Sequence, residues 1–423
     1  MARPSLVLIG LALLAGCSGG GGGDPSTTSS APSPPPSTPT AQPDMLVATS
    51  DGLWRGKATG KGGLIFARPN LNRDDLFMSQ GIVYYPREAP PILFDYPNQD
   101  IWSVRADGTG DHAVLNTTAD EFVKDAQGNI AVYEQGTYTL ANGLDHTDYG
   151  SLRDGAPLTV LPINERFTGY AFMVGTKAFF NNERQIFSVN ADGSGLSTHA
   201  TVSGPFTLAP SDSFDNTLIY REYDFGTGHG TLKAVPVSGG SPASLDDGQA
   251  YVAYAGHVGS RVAYQRCEID MGDIPPRAGA CDVVSVNSDG SGTAVLASHP
   301  ANEAVQGIIG NQVIIRRNLS SNDHLIAVPV AGGAEKLLMT MTDNEFVDLV
   351  AGDVLILRRP SGTWSLDMNG TLKQLGSVAG ESGFIEVGNA VCLNKNTAVW
   401  CIPLDGKGEA VKIAETGKVV GAL

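Results

Sequence analysis

The sequence predicts an all-β protein, a β-propeller of four-stranded blades. Three observations carry this expectation. A strand-and-turn pattern returns about every 42 residues through the body of the chain. Asp-Gly and Gly-Gly pairs, which supply the positive φ of tight hairpin turns, sit at the same place in most copies. Helical periodicity is absent, and proline or glycine punctuates the body every 8 to 12 residues.

The chain opens on an export segment. Arg3 supplies a small positive region, and residues 6–14 form an apolar run. That run is too short to span a bilayer as a helix and fits a secretory signal. Leu14-Ala15-Gly16-Cys17 follows and resembles the bacterial lipobox. The resemblance implies that residues 1–16 are a removable signal peptide and that the Cys17 thiol carries a lipid. The alternative is an ordinary signal peptide with a chance cysteine. Ser18 in place of Asp after the cysteine implies the outer membrane in a Gram-negative cell. The expected location is the cell envelope, lipid-anchored through Cys17 and facing the periplasm or the cell surface.

Residues 17–43 read as the lipidated cysteine and a tether. Gly19 to Gly23 is followed by Ser, Thr and Pro, with no aromatic residue and no aliphatic larger than Ala. Such a segment cannot bury a core. Glycine gives it flexibility and proline gives it reach.

Residues 44–423 form the propeller domain. Asp100-Ile101-Trp102-Ser103-Val104-Arg105-Ala106-Asp107-Gly108-Thr109-Gly110 has close copies starting at Gln185 and Asp282. Variants ending in Gly239-Gly240 and Gly332-Gly333 and weaker copies near Trp364 and Val399 complete the series. Residues 306–340 show the unit: strands over 306–309, 312–316, 325–330 and 335–339, with glycine at the turns. A meander repeated at this spacing indicates a propeller. The Asp-Gly-x-Gly form after an apolar strand resembles the TolB-like (WD40-like) repeat, which implies the fold and carries little about function. Third strands fall near residues 54, 101, 149, 186, 232, 283, 325, 364 and 399, giving nine units, or eight if the irregular stretch 138–162 is misparsed. The first unit lacks an inner strand. Residues 418–423 are an unclaimed strand, expected to complete that blade and close the ring.

Four cysteines lie in the body, Cys267, Cys281, Cys392 and Cys401. Export permits disulfides, and each local pair would sit across one hairpin. Buried free thiols are the alternative. Zinc is not expected, because no C-x2-C spacing occurs.

In such a meander, second-to-third loops and blade-to-blade connections share one face. The long insertions 87–99, 136–147, 223–230 and 268–280 all fall there. Long loops on a rigid scaffold are where binding concentrates. They offer Phe94, Tyr96, Tyr138, His146, Phe225 and His229 as ligand contacts, or as side chains that pack their own loops. Acidic residues recur where blades begin: Asp120-Glu121, Glu303, Asp343 with Glu345, and Glu381. They read first as solvated strand starts, with a channel cation as the alternative.

Function classes narrow by exclusion. A net charge of -16 argues against nucleic acid. No Gly-x-Ser-x-Gly, His-Glu-x-x-His or phosphate-cradling loop occurs. The Asp-Gly-Ser-Gly segments lack the twelfth-position carboxylate of a calcium loop and read as turns. No catalytic residue, metal or cofactor is therefore expected. The expectation is a non-catalytic envelope module that binds another protein. The alternatives are a glycan-binding module, or a polysaccharide lyase or hydrolase with its site at the channel mouth.

Overall fold

The protein is described from a computed structural model, over residues 44–423 apart from 69–70, 72–75, 89–97, 140–142, 164–168, 183, 203–205, 225, 228, 249, 271–276, 321 and 380. Cys17 and the stretches expected to be signal peptide and tether lie outside the described residues.

Nine four-stranded antiparallel sheets follow one another. Blade 1 is 44–67 with 418–422, blade 2 is 77–115, blade 3 is 120–160 and blade 4 is 169–201. Blade 5 is 206–244, blade 6 is 251–297, blade 7 is 303–341, blade 8 is 346–376 and blade 9 is 382–414. Blade 3 is a regular meander of Asp120–Gln127, Ile130–Thr139, Gly143–Arg153 and Ala156–Val160, so the count is nine and not eight. Lys418–Ala422 pairs antiparallel with Asp44–Thr49 as the inner strand of blade 1. The last strand thus joins the first blade, and the ring has no open sheet.

The core is divided among the blade junctions. Each of the nine gaps between neighbouring blades holds its own buried hydrophobic cluster, including the gap between blades 9 and 1. Middle strands therefore bury both faces, which explains runs such as Val313-Ile314-Ile315. Val313 and Ile315 pack toward blade 6, and Ile314 packs toward blade 8. Ile101 likewise faces blade 3 while Val104 faces blade 1. Fully burying one such side chain is worth about 1.5–3 kcal/mol.

Polar bonds bridge the blades as well. Two third-strand serines reach the next blade: Ser151 Oγ donates to Ala191 O, and Ser285 Oγ donates to Val330 O. In eight of the nine blades the inner strand slips register by a bulge against its neighbour. A bulge adds local twist, which lets each inner strand turn sharply near the axis. Gly307, just after one bulge, touches blade 8 so closely that a Cβ would lie 2.4 Å from Val350 Cγ2.

The Asp-Gly-x-Gly segments are turns. Asp107, Asp192 and Asp289 each accept from the backbone N–H and the hydroxyl two residues on, and Gly108, Gly193 and Gly290 take positive φ. These hydrogen bonds hold the three carboxyls below their ordinary pKa.

Both cysteine pairs are bridged. Cys267 opposes Cys281 and Cys392 opposes Cys401 in register, with Cα–Cα distances of 3.9 and 4.0 Å. The second bridge is fully buried, and Met45 Sδ lies 3.8 Å from Cys392 Sγ. It packs in the junction where the ring closes.

Candidate functional site

The face that carries the second-to-third connections is built largely from hairpins. Residues 136–147, expected as a loop, are mostly strand: Ile130–Thr139 and Gly143–Arg153 run 10 and 11 residues, against 6 and 7 for the matching strands of blade 7. Thr139 pairs with Gly143, and Tyr138 with Leu144. Residues 268–280 are likewise partly strand. Arg261–Asp270 and Arg277–Asn287 continue past the Cys267–Cys281 bridge, so those cysteines sit inside the hairpin and not at its mouth. The β-branched and aromatic residues Thr137, Tyr138, Thr139 and Thr147 favour strand in the blade 3 extension, and cross-strand pairing satisfies the backbone.

The predicted contact residues divide unevenly. Phe94, Tyr96 and Phe225 lie outside the described residues. Tyr138 and His146 are placed by their backbones, on opposite strands of the blade 3 hairpin, and their side chains lie outside the description. His229 is half-buried, and its Nδ1 lies 3.3 Å from Gly248 O. Its carbonyl accepts from Asp224 N–H. His229 thus packs its loop against the connection into blade 6.

The acidic strand starts depart from the expectation of solvated groups. Asp120, Glu121, Glu303 and Glu345 are all buried, whereas Asp343 and Glu381 are exposed. Glu303 and Glu345 each meet an arginine that ends the neighbouring second strand. Arg317 Nε donates to Glu303 Oε1 at 2.6 Å, and its other nitrogens bond Glu335. Arg359 donates to Glu345 Oε1, and Thr342 N–H donates to Glu345 Oε2. Burial pushes the Glu303 carboxyl up, yet its partner is held more firmly charged by Glu335 and Glu303. The guanidinium keeps its proton in this range, so it supplies a full positive charge beside the buried carboxyl.

Glu121 has no such partner. The matching residue is Gln135, whose Nε2 lies 3.3 Å from Glu121 Oε1, and Thr117 donates to the same oxygen. Burial drives the Glu121 carboxyl up to about 7; the Thr117 bond opposes this, and Asp100 and Asp120 add to it. Asp100 is raised as well, by burial, against Arg87. Asp120 Oδ1 accepts from Gln99 N–H at 3.0 Å and ties blade 2 to blade 3. Arg87 Cζ lies over the Trp102 ring, 4.0 Å from its centre.

Other chemistry is enclosed or structural. Ser188 Oγ lies 2.8 Å from His199 Nε2, a spacing seen in nucleophile–base pairs. Both residues are buried, His199 Nδ1 has no partner to orient the ring, and burial lowers the His199 pKa. Tyr254 donates to Asp212 across the junction of blades 5 and 6, and His257 stacks on Phe214 at 3.8 Å. At the hairpin face of that junction, Arg221 lies over the half-buried rings of Tyr223 and Tyr251. Sequence reasoning missed this cluster, because its members come from two blades and carry no local motif. Among the described residues, no three Asp, Glu, His or Cys gather as a metal-binding group, and no helix is long and apolar enough to cross a membrane.

No family model matches the chain, and no curated protein matches it. Among solved structures, the computationally designed Ika8 protein aligns over 82% of this chain and 97% of its own, at 14% identity and a TM-score of 0.43. An oligogalacturonate lyase in complex with manganese aligns over 86% and 97%, at 10% identity and 0.43. Oligopeptidase B from Leishmania major aligns over 77% of this chain and 52% of its own, at 10% identity and 0.44. The present chain thus spans about half of that peptidase. These likenesses carry nothing about activity, and the propeller assignment rests on the strand pairings themselves.

Proposed function

We propose that this chain is a lipid-anchored envelope protein, held through Cys17, whose TolB-like propeller recognises another protein without catalysing a reaction. One observation carries the reading. Both of the longest hairpins, in blades 3 and 6, project on the same face, and one is stapled by Cys267–Cys281. Extra length on a rigid ring, concentrated on one face, is the build of a recognition surface. Net charge favours a basic partner.

The test is affinity capture from envelope extract with three versions of the full chain. One is unaltered, one has the blade 3 hairpin cut back to a short turn, and one is altered in the turns of the opposite face. A partner lost only with the hairpin supports the reading, and one lost with neither change removes it. Anchoring is checked separately with a fatty-acid label, which should vanish in Cys17→Ser.

A second reading is favoured by the Tyr223, Tyr251 and Arg221 cluster, since aromatic faces with a nearby donor suit a sugar ring. Retention on a glycan array that is abolished by Tyr251→Ala would move the assignment to a glycan-binding module.

A further inference from the structure

We propose that an oxygen-preferring divalent cation of the calcium class binds between Asp100 and Glu121, where blade 2 meets blade 3, in the role that an arginine fills in blades 7 and 8.

The first support is unmet bonding. Glu121 is fully buried and Asp100 is 4% exposed. Glu121 Oε2, Asp100 Oδ1 and the neighbouring Gln99 Oε1 are all buried acceptors without a hydrogen-bond partner. A buried acceptor left unbonded costs free energy, and several together call for a bound group.

The second support is charge. Asp100 and Glu121 are brought to one junction by their chain neighbours, since Gln99 N–H donates to Asp120 Oδ1 at 3.0 Å, and both carboxyls are buried there. Arg87 is the cation that acts on Asp100, and its guanidinium lies over the Trp102 ring. Buried charges are otherwise paired or bound to metal.

The third support is the comparison within the ring. Glu303 and Glu345 occupy the same repeat position and meet Arg317 and Arg359. At that position blade 3 has Gln135, which occupies Glu121 Oε1 together with Thr117 and leaves Oε2 open. Glu303 Oε2 is also without a hydrogen bond, but its carboxylate already has a counter-charge.

Donor chemistry sets the class of ion. The available groups are two carboxylates and an amide oxygen, with no nitrogen or sulfur donor. Such a set suits calcium, which accepts irregular oxygen cages, better than zinc or copper. Asp120 holds Gln99 N–H and acts as a positioning residue. The site therefore does not require three converging carboxylates.

The test uses the full chain in detergent, stripped with EDTA and titrated with calcium chloride at pH 8, by calorimetry and by thermal unfolding. The expected result is one calcium per chain and a Tm raised by about 3 °C or more at a hundredfold excess over Kd. Magnesium should act more weakly, because it demands stricter geometry. Glu121→Gln and Asp100→Asn should each weaken calcium by about tenfold or more. Gln135→Arg should raise Tm in EDTA and remove the calcium response, which shows a folded protein with the site filled by its own guanidinium. No heat and no Tm shift in the unaltered chain at about 10 mM calcium overturns the proposal. So does a calcium response that survives in both Glu121→Gln and Gln135→Arg. If Gln135→Arg fails to fold, Asp100→Asn and Glu121→Gln decide the matter alone.

Discussion

Blades 3 and 7 begin their inner strands alike and solve the same electrostatic problem differently. Each buries a glutamate completely, Glu121 in one and Glu303 in the other, opposite one residue of the neighbouring strand. In blade 7 that residue is Arg317, which also bonds Glu335, so two acids share one guanidinium. In blade 3 it is Gln135, and the carboxyl is pushed up to about 7. The repeat position fixes burial, and the residue across the pair decides whether the buried acid keeps its charge. Blade 7 is a closed structural unit, whereas blade 3 retains an unmet demand beside one of the two longest hairpins of the ring.

The largest effect should come from breaking the pair. Arg317→Ala strands Glu303 in the interior and should cost about 3–5 kcal/mol in equilibrium unfolding. Replacing both members, Glu303→Gln with Arg317→Gln, should recover most of that loss. A single replacement no worse than the double would show that the pair carries no special weight.

The next effect is in pH. The folded pKa of Glu121 lies above its ordinary value of 4.5, so the native state binds the proton more tightly than the unfolded chain. Its contribution is then greatest below pH 4.5 and is lost as pH rises through about 7. That loss amounts to about 3 kcal/mol across the window. Unfolding curves in EDTA should show it as the difference between the unaltered chain and Glu121→Gln, with the gap closing at acid pH. A constant gap from pH 4 to pH 8 would contradict it.

Converting one blade into the other is a smaller and sharper test. Gln135→Arg should stabilise the EDTA-treated protein by about 1–3 kcal/mol above pH 7 and little at pH 4, because a charge-assisted bond needs the ionised acid. The smallest effect belongs to an exposed acid. Asp289→Ala removes a turn acceptor from a fully solvated carboxylate and should lower Tm only slightly, with no change between pH 6 and pH 8.

Much of the fold was legible because its signals are local. Asp107-Gly108, Asp192-Gly193 and Asp289-Gly290 need only their own backbone to form a turn, so their spacing marked the blades directly. The closing strand was legible for a related reason. Blade 1 had too few residues before its third strand, and residues 418–422 had no other blade to join. The cysteine pairs were legible because each spans one hairpin.

The candidate site was less legible. Glu121 and Glu303 look the same in the sequence, an acid at the start of a strand, and solvation was the natural reading. Their burial comes from the neighbouring blade, which no local pattern records. Residues 136–147 read as an inserted loop because they exceed the length of the repeat, whereas cross-strand pairing makes most of them strand, Gly136 and Gly143 included. Tyr223 and Tyr251 meet under Arg221 only because consecutive blades bring them together.

By itself the sequence determined the repeat, a count of nine blades or eight, the turn chemistry and the strand that closes the ring. Each of these depends on residues within one hairpin or on a count of strands. Tertiary structure alone decided which acids are buried, which of them meet an arginine, and where inner strands bulge. Those outcomes depend on side chains contributed by adjacent blades, and desolvation turns a single Arg-to-Gln difference between blades into a large change in the acid it faces.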